Sequence, residues 1–305
     1  MRAPITKYLK LGRISSWPAF SLAFLVPFAV GAYEGTDWTS AILGFVVLIL
    51  IASFSFALNF YSDRDTDRYH DGRQKDLNLT QQPMLTGEVT ENECKAFCVV
   101  TLVLIVILAF LVSNLFALLA LLACLLGGVL YSHPFIRLKA KPFFDIACMC
   151  IFCTLLFSAG YALARETMVG WQMFLFFSLL CAIVYIPSVV QDYEWDVRAG
   201  LRTSAVVFGK RNLTNTMWAV CLCMIPVTWL IISGPYAIVF KTCAALALVN
   251  SVVYTIISLR ALNAPRHTMP LLDRFPHATM ITSAVLALLC LGYAFSKVFV
   301  TSHLP

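Results

Sequence analysis

Charge is what this chain has least of. Only 12% of its 305 residues are Asp, Glu, Lys or Arg, against 60% hydrophobic residues and a mean hydropathy of +0.82. That shortage of polar surface excludes a soluble domain of this size and calls for spanning helices of ~20 apolar residues each. P-loop, dinucleotide fingerprint and nucleophile elbow are missing as well. The histidines, His70, His133, His267, His277 and His303, show no metal-ligand spacing. The N-terminus lacks a short apolar core followed by a small-residue cleavage site, so its first apolar stretch reads as a permanent span and not a removed signal peptide. The net charge of +6 is spread among short loops, which suits a membrane face and argues against nucleic-acid binding.

Cysteine is plentiful, but most of it (Cys124, Cys148, Cys150, Cys153, Cys181, Cys221, Cys223 and Cys290) lies inside apolar runs. There it reads as a small buried hydrophobe, forming neither a disulfide framework nor a zinc site.

The apolar runs resolve into nine candidate spans: 16–33, 38–62, 95–114, 115–132, 142–164, 169–191, 213–233, 236–259 and 276–299. Ser113-Asn114 and Ser233-Gly234-Pro235 divide two pairs into hairpins, while 63–94, 133–141, 192–212 and 260–275 are longer connections. Apart from Arg165, Lys241 and Lys297, the 22 Lys and Arg residues lie in the N-terminal tail and the long connections or at their edges. The positive-inside rule then puts the N-terminus and all four long connections in the cytoplasm and the C-terminus outside. The fold expected is all-α: a polytopic membrane protein forming one domain over residues 1–305.

At the inner ends of these spans two acidic patterns stand out. Asn59-x3-Asp63-x3-Asp67 closes the second span, and Asp192-x3-Asp196 closes the sixth. A four-residue spacing places each set on one helical face, where carboxylates repel one another and meet the negative end of the helix dipole. A cation is therefore expected between them, and Mg2+ carrying a phosphorylated substrate is the simplest candidate. The alternative for each pair is a solvated helix end, with Arg64 and Arg68 balancing the first acids. Asn59 argues against it by extending the oxygen-donor face into the apolar span, where a neutral ligand is cheaper than a carboxylate. Pro187 is expected to kink the sixth span and tilt Asp192 and Asp196 toward the first site.

A third element closes the fourth span. Tyr131-Ser132 leads into Arg137, Lys139 and Lys141, then Pro142 at the expected start of the next helix, and Asp145. The basic residues here, with Arg198 and Arg202 downstream, serve as membrane-face anchors or as diphosphate contacts. Asp145 reads as a favourable acid in a first helical turn, with metal ligation as the alternative.

Together, N-x3-D-x3-D, Y-S-x-P-x-x-R-L-K-x-K-P-x-x-D and D-x-E-x-D-x3-G-x-x-T resemble the UbiA superfamily of intramembrane prenyltransferases. The resemblance implies a single bundle of nine transmembrane helices with a cytoplasmic-side cap over an apolar chamber. It also implies two Mg2+ ions and a diphosphate held by Asn59, Asp63, Asp67, Asp192 and Asp196. Arg137, Lys139 and Arg198, with Lys141 beside them, would contact phosphate, while Tyr131 and Ser132 would line the chamber. The expected reaction moves a prenyl group from an isoprenyl diphosphate such as geranylgeranyl diphosphate, through an allylic cation, to a lipophilic acceptor. A quinone-precursor aromatic ring or a prenylglyceryl phosphate fits that role, at a cell membrane and with no nucleic-acid partner. One departure is the run His70-Asp-Gly-Arg73-Gln-Lys75, where relatives carry an Asn/Arg/Pro-rich stretch; only Gln82-Pro83-Met-Leu-Thr-Gly87 keeps the Pro-x-x-x-Gly ending. Three other readings compete, of which a purely structural membrane protein would explain neither acidic pair. A CDP-alcohol phosphotransferase would need a D-G-x2-A-R-x8-G-x3-D-x3-D pattern that this chain lacks, and a transporter would carry its ionisable residues near the bilayer midplane.

Overall fold

Apolar runs set the helices of this chain, and its few polar residues decide where they stop. The computed structural model describes residues 4–32, 36–69, 82–236 and 238–262, and every regular element among them is helical. A short amphipathic α1 (Pro4–Leu11) precedes α2 (Trp17–Gly31) and α3 (Trp38–Asp63). Next come α4 (Glu91–Val112) and α5 (Asn114–Ala123), which runs on through a π-helical stretch (Cys124–Leu130). After α6 (Phe144–Arg165) and α7 (Trp171–Gln191) lie two short helices, α8 (Tyr193–Arg198) and α9 (Ser204–Phe208). The long helices α10 (Lys210–Ser233) and α11 (Ile238–Leu262) complete the described part.

Six of these, α3, α4, α6, α7, α10 and α11, are long and apolar enough to cross a membrane. α2 and the stretch Asn114–Leu130 are apolar but shorter. The expected spans from 16–33 to 236–259 each coincide with a helix, the fourth with α5 and its π-helical continuation. The expected ninth span, 276–299, and the His70–Lys75 run lie outside the described residues. Pro142 falls two residues before α6 and not inside its first turn, because Phe143 takes a positive φ of 72° and the helix starts only after it.

The stops are made by side chains. Asp37 caps α3 by accepting from the Thr39 and Ser40 N–H groups (2.9 and 3.3 Å). Ser113 caps α5 through the Phe116 N–H, which makes the tight turn expected there. Thr90 and Glu93 form a capping box at the start of α4. That start is also strapped to α1 and α3: Lys10 pairs with Glu88 (2.7 Å), Lys7 with Glu93, and Arg64 with Glu91 (2.5 Å).

α6 lies centrally, packing on α2, α5 and α7. One apolar core gathers α2 to α6 through Phe24, Ile51, Phe54, Ile105, Phe116 and Phe152. The other gathers α7, α10 and α11 through Ile183, Met217, Met224 and Tyr254, and α6 reaches it with Phe157. A smaller cluster of Leu11, Ala57, Phe60, Val89 and Cys94 sits beneath the acidic end of α3. On the outside, α4 exposes Val99, Val103, Ile107 and Leu111 in an i,i+4 stripe, a face suited to lipid. The ten described cysteines are free, and Cys150-x2-Cys153, though spaced like half a zinc site, lies in the middle of α6.

Close helix approach makes a testable point. A Cβ on Gly160 would stand 2.6 Å from the Phe24 carbonyl oxygen of α2, whereas one on Gly44 would meet only the flexible Leu163 tip at 2.4 Å. Gly160→Ala should therefore destabilise the protein by about 1–3 kcal/mol, and Gly44→Ala by less. Thermal unfolding of the two variants in detergent checks the order.

Candidate active site

Three segments meet at one end of the bundle: the end of α3, the connection after Tyr131, and the segment from Asp192 to Ser204. Each reaches its place for a local reason.

The small core beneath α3 holds Phe60 fully buried and so fixes its neighbours. Asn59 Nδ2 donates to Ser132 Oγ (3.4 Å), and the Asp63 side chain is buried. The helix then stops, and Thr66 Oγ1 donates to the Asp63 carbonyl oxygen (3.1 Å). The single helical face expected for all three residues thus holds for Asn59 and Asp63 only. Asp67 begins a separate 3-10 turn; Asp63, Asp65 and Asp67, alternating with Arg64 and Thr66, oppose the dipole at a helix C-terminus, and the chain turns away. Gln82, itself fully buried, holds Asp67 from across the chain: its Nε2 donates to Asp67 Oδ2 (2.9 Å) and to the Phe60 carbonyl (2.8 Å). Asp65 is exposed and faces Arg64 and Arg68, as its two-residue offset from Asp63 implies.

The second segment is cationic. Its path depends on Arg137, which takes a left-handed φ of 42°, a costly conformation for a residue with a Cβ. The turn aims Arg137 and Lys139 at the same carboxylate. Arg137 Nη2 lies 3.1 Å from Asp63 Oδ1 and donates to Thr66 Oγ1 at 3.1 Å, while Lys139 pairs with Asp63 Oδ2. Lys141 is exposed and stays outside this network. Burial draws the Lys139 ammonium down to about 7, and Asp196 and Asp192 oppose the loss of its proton. Arg137 is likewise lowered by burial and supported by Asp67, Asp196 and Asp65. Both cations therefore stand between the two acidic ends.

The third segment follows α7, with Pro187 inside the helix as expected. The Asp196 N–H donates to the Asp192 carbonyl (2.9 Å), so these two acids are one helical turn apart, as their spacing predicts. Thr203 Oγ1 donates to Asp196 Oδ2 (2.8 Å), and burial pushes the Asp196 carboxyl up to about 6. Arg198 is exposed.

Tyr131 follows the π-helical stretch, a feature that often re-aims side chains near functional sites. Gly127 and Gly128 let neighbouring helices pack closely on it, since a Cβ at either would overlap Phe152 (2.3 Å) or Phe54 (2.7 Å). The Tyr131 hydroxyl meets that of Tyr185 on α7. The motifs did not mark Tyr185, which sits in an apolar run, and included Gln82 only beside the Pro-x-x-x-Gly ending with no role, because its partner Asp67 lies fifteen residues away.

Among the described residues no three His, Cys, Asp or Glu side chains gather closely enough to hold an ion, and Arg137 and Lys139 pair with Asp63. The donor set nevertheless suits a hard cation, since Asn59, Asp63, Asp67, Asp192 and Asp196 offer only oxygen ligands. Among the described residues, Arg137 Nε is buried without an acceptor and Gln82 Oε1 without a donor. An anion and a cation are what these two atoms lack.

The ion-pair geometry predicts an order of stabilities. Asp63→Ala leaves two part-buried cations without their counter-charge and should cost on the order of 3 kcal/mol. Asp65→Ala, at an exposed pair, should cost about 0.5 kcal/mol or less. Equal melting shifts for the two variants would contradict the placement of Asp63.

Known proteins share both the fold and the sequence pattern. Residues 19–275 match the model of the UbiA prenyltransferase family. A UbiA homolog from Archaeoglobus fulgidus bound to DMAPP and Mg2+ shares the fold with a TM-score of 0.83 and 30% identity, over 98% of this chain and 100% of that one. A UbiA homolog from the same organism bound to GPP and Mg2+ gives 0.82 and 29%, over 96% and 99%. The 4-hydroxybenzoate octaprenyltransferase of Paraburkholderia phytofirmans is 28% identical over 229 residues, 71% of this chain and 74% of that protein. The enzyme of that name from Burkholderia vietnamiensis is 26% identical over 299 residues, 94% and 95% of the two chains. The family match selects prenyl transfer over the phosphotransferase and transporter alternatives. On its sequence and its fold, this multi-pass membrane protein belongs to the UbiA prenyltransferase family.

Proposed function

We propose that this enzyme moves a prenyl group from an allylic isoprenyl diphosphate to an aromatic acceptor, with the diphosphate held between the two acidic ends. The observation that carries this reading is the Arg137–Lys139 pair. Two part-buried cations lie against the Asp63 carboxylate, and one of their N–H groups has no acceptor among the described residues. A diphosphate supplies the missing oxygens, and charge-assisted contacts of this kind are among the stronger polar interactions. Lys141 and Arg198, exposed at the rim, serve as outer contacts that draw the anion in.

Two Mg2+ ions would be held by Asn59, Asp63 and Asp67 on one side and by Asp192 and Asp196 on the other. When bound, they neutralise the charge that builds on the leaving diphosphate. The chain's own groups do the rest. Arg137 and Lys139 hold the diphosphate as the bond from prenyl C1 to oxygen breaks and its electrons pass to that oxygen. Apolar helices exclude water from the allylic cation left behind. Tyr131 and Ser132 face the chamber, where the acceptor bonds to C1 and then loses a proton.

Geranylgeranyl diphosphate remains a suitable donor, and relatives bound to DMAPP and GPP support the allylic class. Relatives that act on 4-hydroxybenzoate favour a quinone-precursor ring over a prenylglyceryl phosphate. The distribution of basic residues supports a cell-membrane protein with this end of the bundle at the cytoplasmic side. The same reading has nine spans in a single domain over 1–305, the last at 276–299, and a C-terminus outside.

Purified protein given Mg2+, labelled geranylgeranyl diphosphate and a panel of acceptors including 4-hydroxybenzoate should yield a lipid-soluble labelled product. Excess chelator should stop turnover while the helical circular dichroism persists. Asp192→Ala should lower turnover on the order of a hundredfold or more, and Asp65→Ala should leave it nearly unchanged. Full turnover in chelator would remove the metal from the account, and failure with every prenyl diphosphate tried would remove the reaction.

A further inference from the structure

Asp145 is a buried carboxylate that no cation neutralises among the described residues. It opens α6 at 2% exposure, where the sequence offered it as a favourable helix-start acid or a metal ligand. The structure gives it a different employment. Its Oδ2 accepts the Ser204 N–H at 2.7 Å, and its Oδ1 accepts the Ser204 hydroxyl at 2.5 Å and the Ile146 N–H at 2.9 Å. Ser204 Oγ in turn accepts the Phe143 N–H at 2.7 Å, so the residue is gripped from both sides of the α6 start. Both Ser204 and Thr203 are buried, and Thr203 is the residue whose hydroxyl donates to Asp196.

These contacts form one connected path: the start of α6, Ser204, Thr203, Asp196. The path matters because Thr203 donates a hydrogen bond to the Asp196 carboxylate, whereas the ties from Lys210 to Glu194 and Tyr193 hold the first turn of the Asp196 helix and not that side chain. Its helix, α8, has six residues, too few to be stable in isolation. The chain between Asp196 and Thr203 runs through an exposed turn at Gly200, held mainly by the Leu201 N–H on the Asp196 carbonyl (2.9 Å). α6, by contrast, is packed on α2, α5 and α7 and provides a rigid reference. A carboxylate suits the joint because it accepts several donors at once, and an amide in its place would turn an N–H toward one of them.

We propose that Asp145 is a positioning residue, which through Ser204 and Thr203 holds the Asp196 carboxylate in register with Lys139. The proposal rests on the reading of Asp196 as a metal ligand, and the test separates the two. Groups that hydrogen-bond a metal ligand typically change metal affinity by about 10- to 100-fold when removed.

The readout is binding of Mn2+, followed by electron paramagnetic resonance on the full-length protein with a non-hydrolysable prenyl diphosphate analogue. Thr203→Val removes the last link and leaves the Asp145–Ser204 contacts intact, whereas Thr203→Ser keeps the hydroxyl. Thr203→Val and Asp145→Leu should each weaken Mn2+ binding about tenfold or more. Asp145→Asn should fall between Asp145→Leu and the wild type, and Thr203→Ser should bind like the wild type. If Asp196→Ala loses Mn2+ while Thr203→Val binds it normally, the positioning path is overturned and the ligand reading stands. If Asp196→Ala itself binds Mn2+ normally, the ligand reading falls, and the proposal falls with it. Should Asp145→Leu fail to fold, the Thr203 pair and Asp145→Asn decide the matter, and wild-type binding by Asp145→Asn together with Thr203→Val overturns the proposal.

Discussion

A carboxylate buried at the end of a membrane helix is costly unless a cation meets it, and the arrangement of this site follows from how that cost is met at Asp63. Its side chain is almost wholly enclosed, and Arg137 and Lys139 both reach it. The same two cations carry the field of Asp67, Asp192 and Asp196 from the other elements. Four acids and two bases thus share one partly enclosed region, where charge must balance largely among neighbours. A metal–diphosphate complex brings both signs at once, so it is able to replace the Asp63 ion pair without leaving either partner unmatched.

The helices serve this balance by ending where they do. α3 stops at Asp63 because its last carbonyl is taken by Thr66 and because the acids that follow oppose its dipole. Beneath the stop, Leu11 from α1 and Val89 and Cys94 from the start of α4 lock Phe60, while ion pairs from Lys7 and Lys10 strap the same elements together. The result is a stiff floor under a charged cluster. On the far side, the break between α7 and α8 falls at Asp192, so the second acidic pair sits on a turn with its own anchor.

Much of this was legible in the residues. Scarce charge and long apolar runs announced the spanning helices, and the four-residue spacings announced Asn59 with Asp63 and Asp192 with Asp196. Those signals are local, which is why they could be read. What escaped depends on contacts made only when distant segments fold together. Asp67 leaves the α3 face because Gln82 claims it, and Gln82 belongs to another part of the chain. Tyr185 matters through Tyr131, which stands 54 residues earlier. Asp145 looked like an ordinary helix-start acid until Ser204, 59 residues on, came to rest against it. The π-helical stretch before Tyr131 is in the same class, since Gly127 and Gly128 reveal their purpose only beside Phe152 and Phe54.

Under the proposed function, Arg137 and Lys139 exchange Asp63 for the donor's diphosphate. Asp63→Asn tests it directly, because the amide keeps the shape of the residue and releases the cations from their carboxylate. The measurement is the affinity of a non-hydrolysable prenyl diphosphate analogue in the absence of any divalent metal, for the wild type and for Asp63→Asn. Asp63→Asn should bind the analogue more tightly, since the anion then finds two cations released from their nearest carboxylate. Equal or weaker binding by the variant would contradict it.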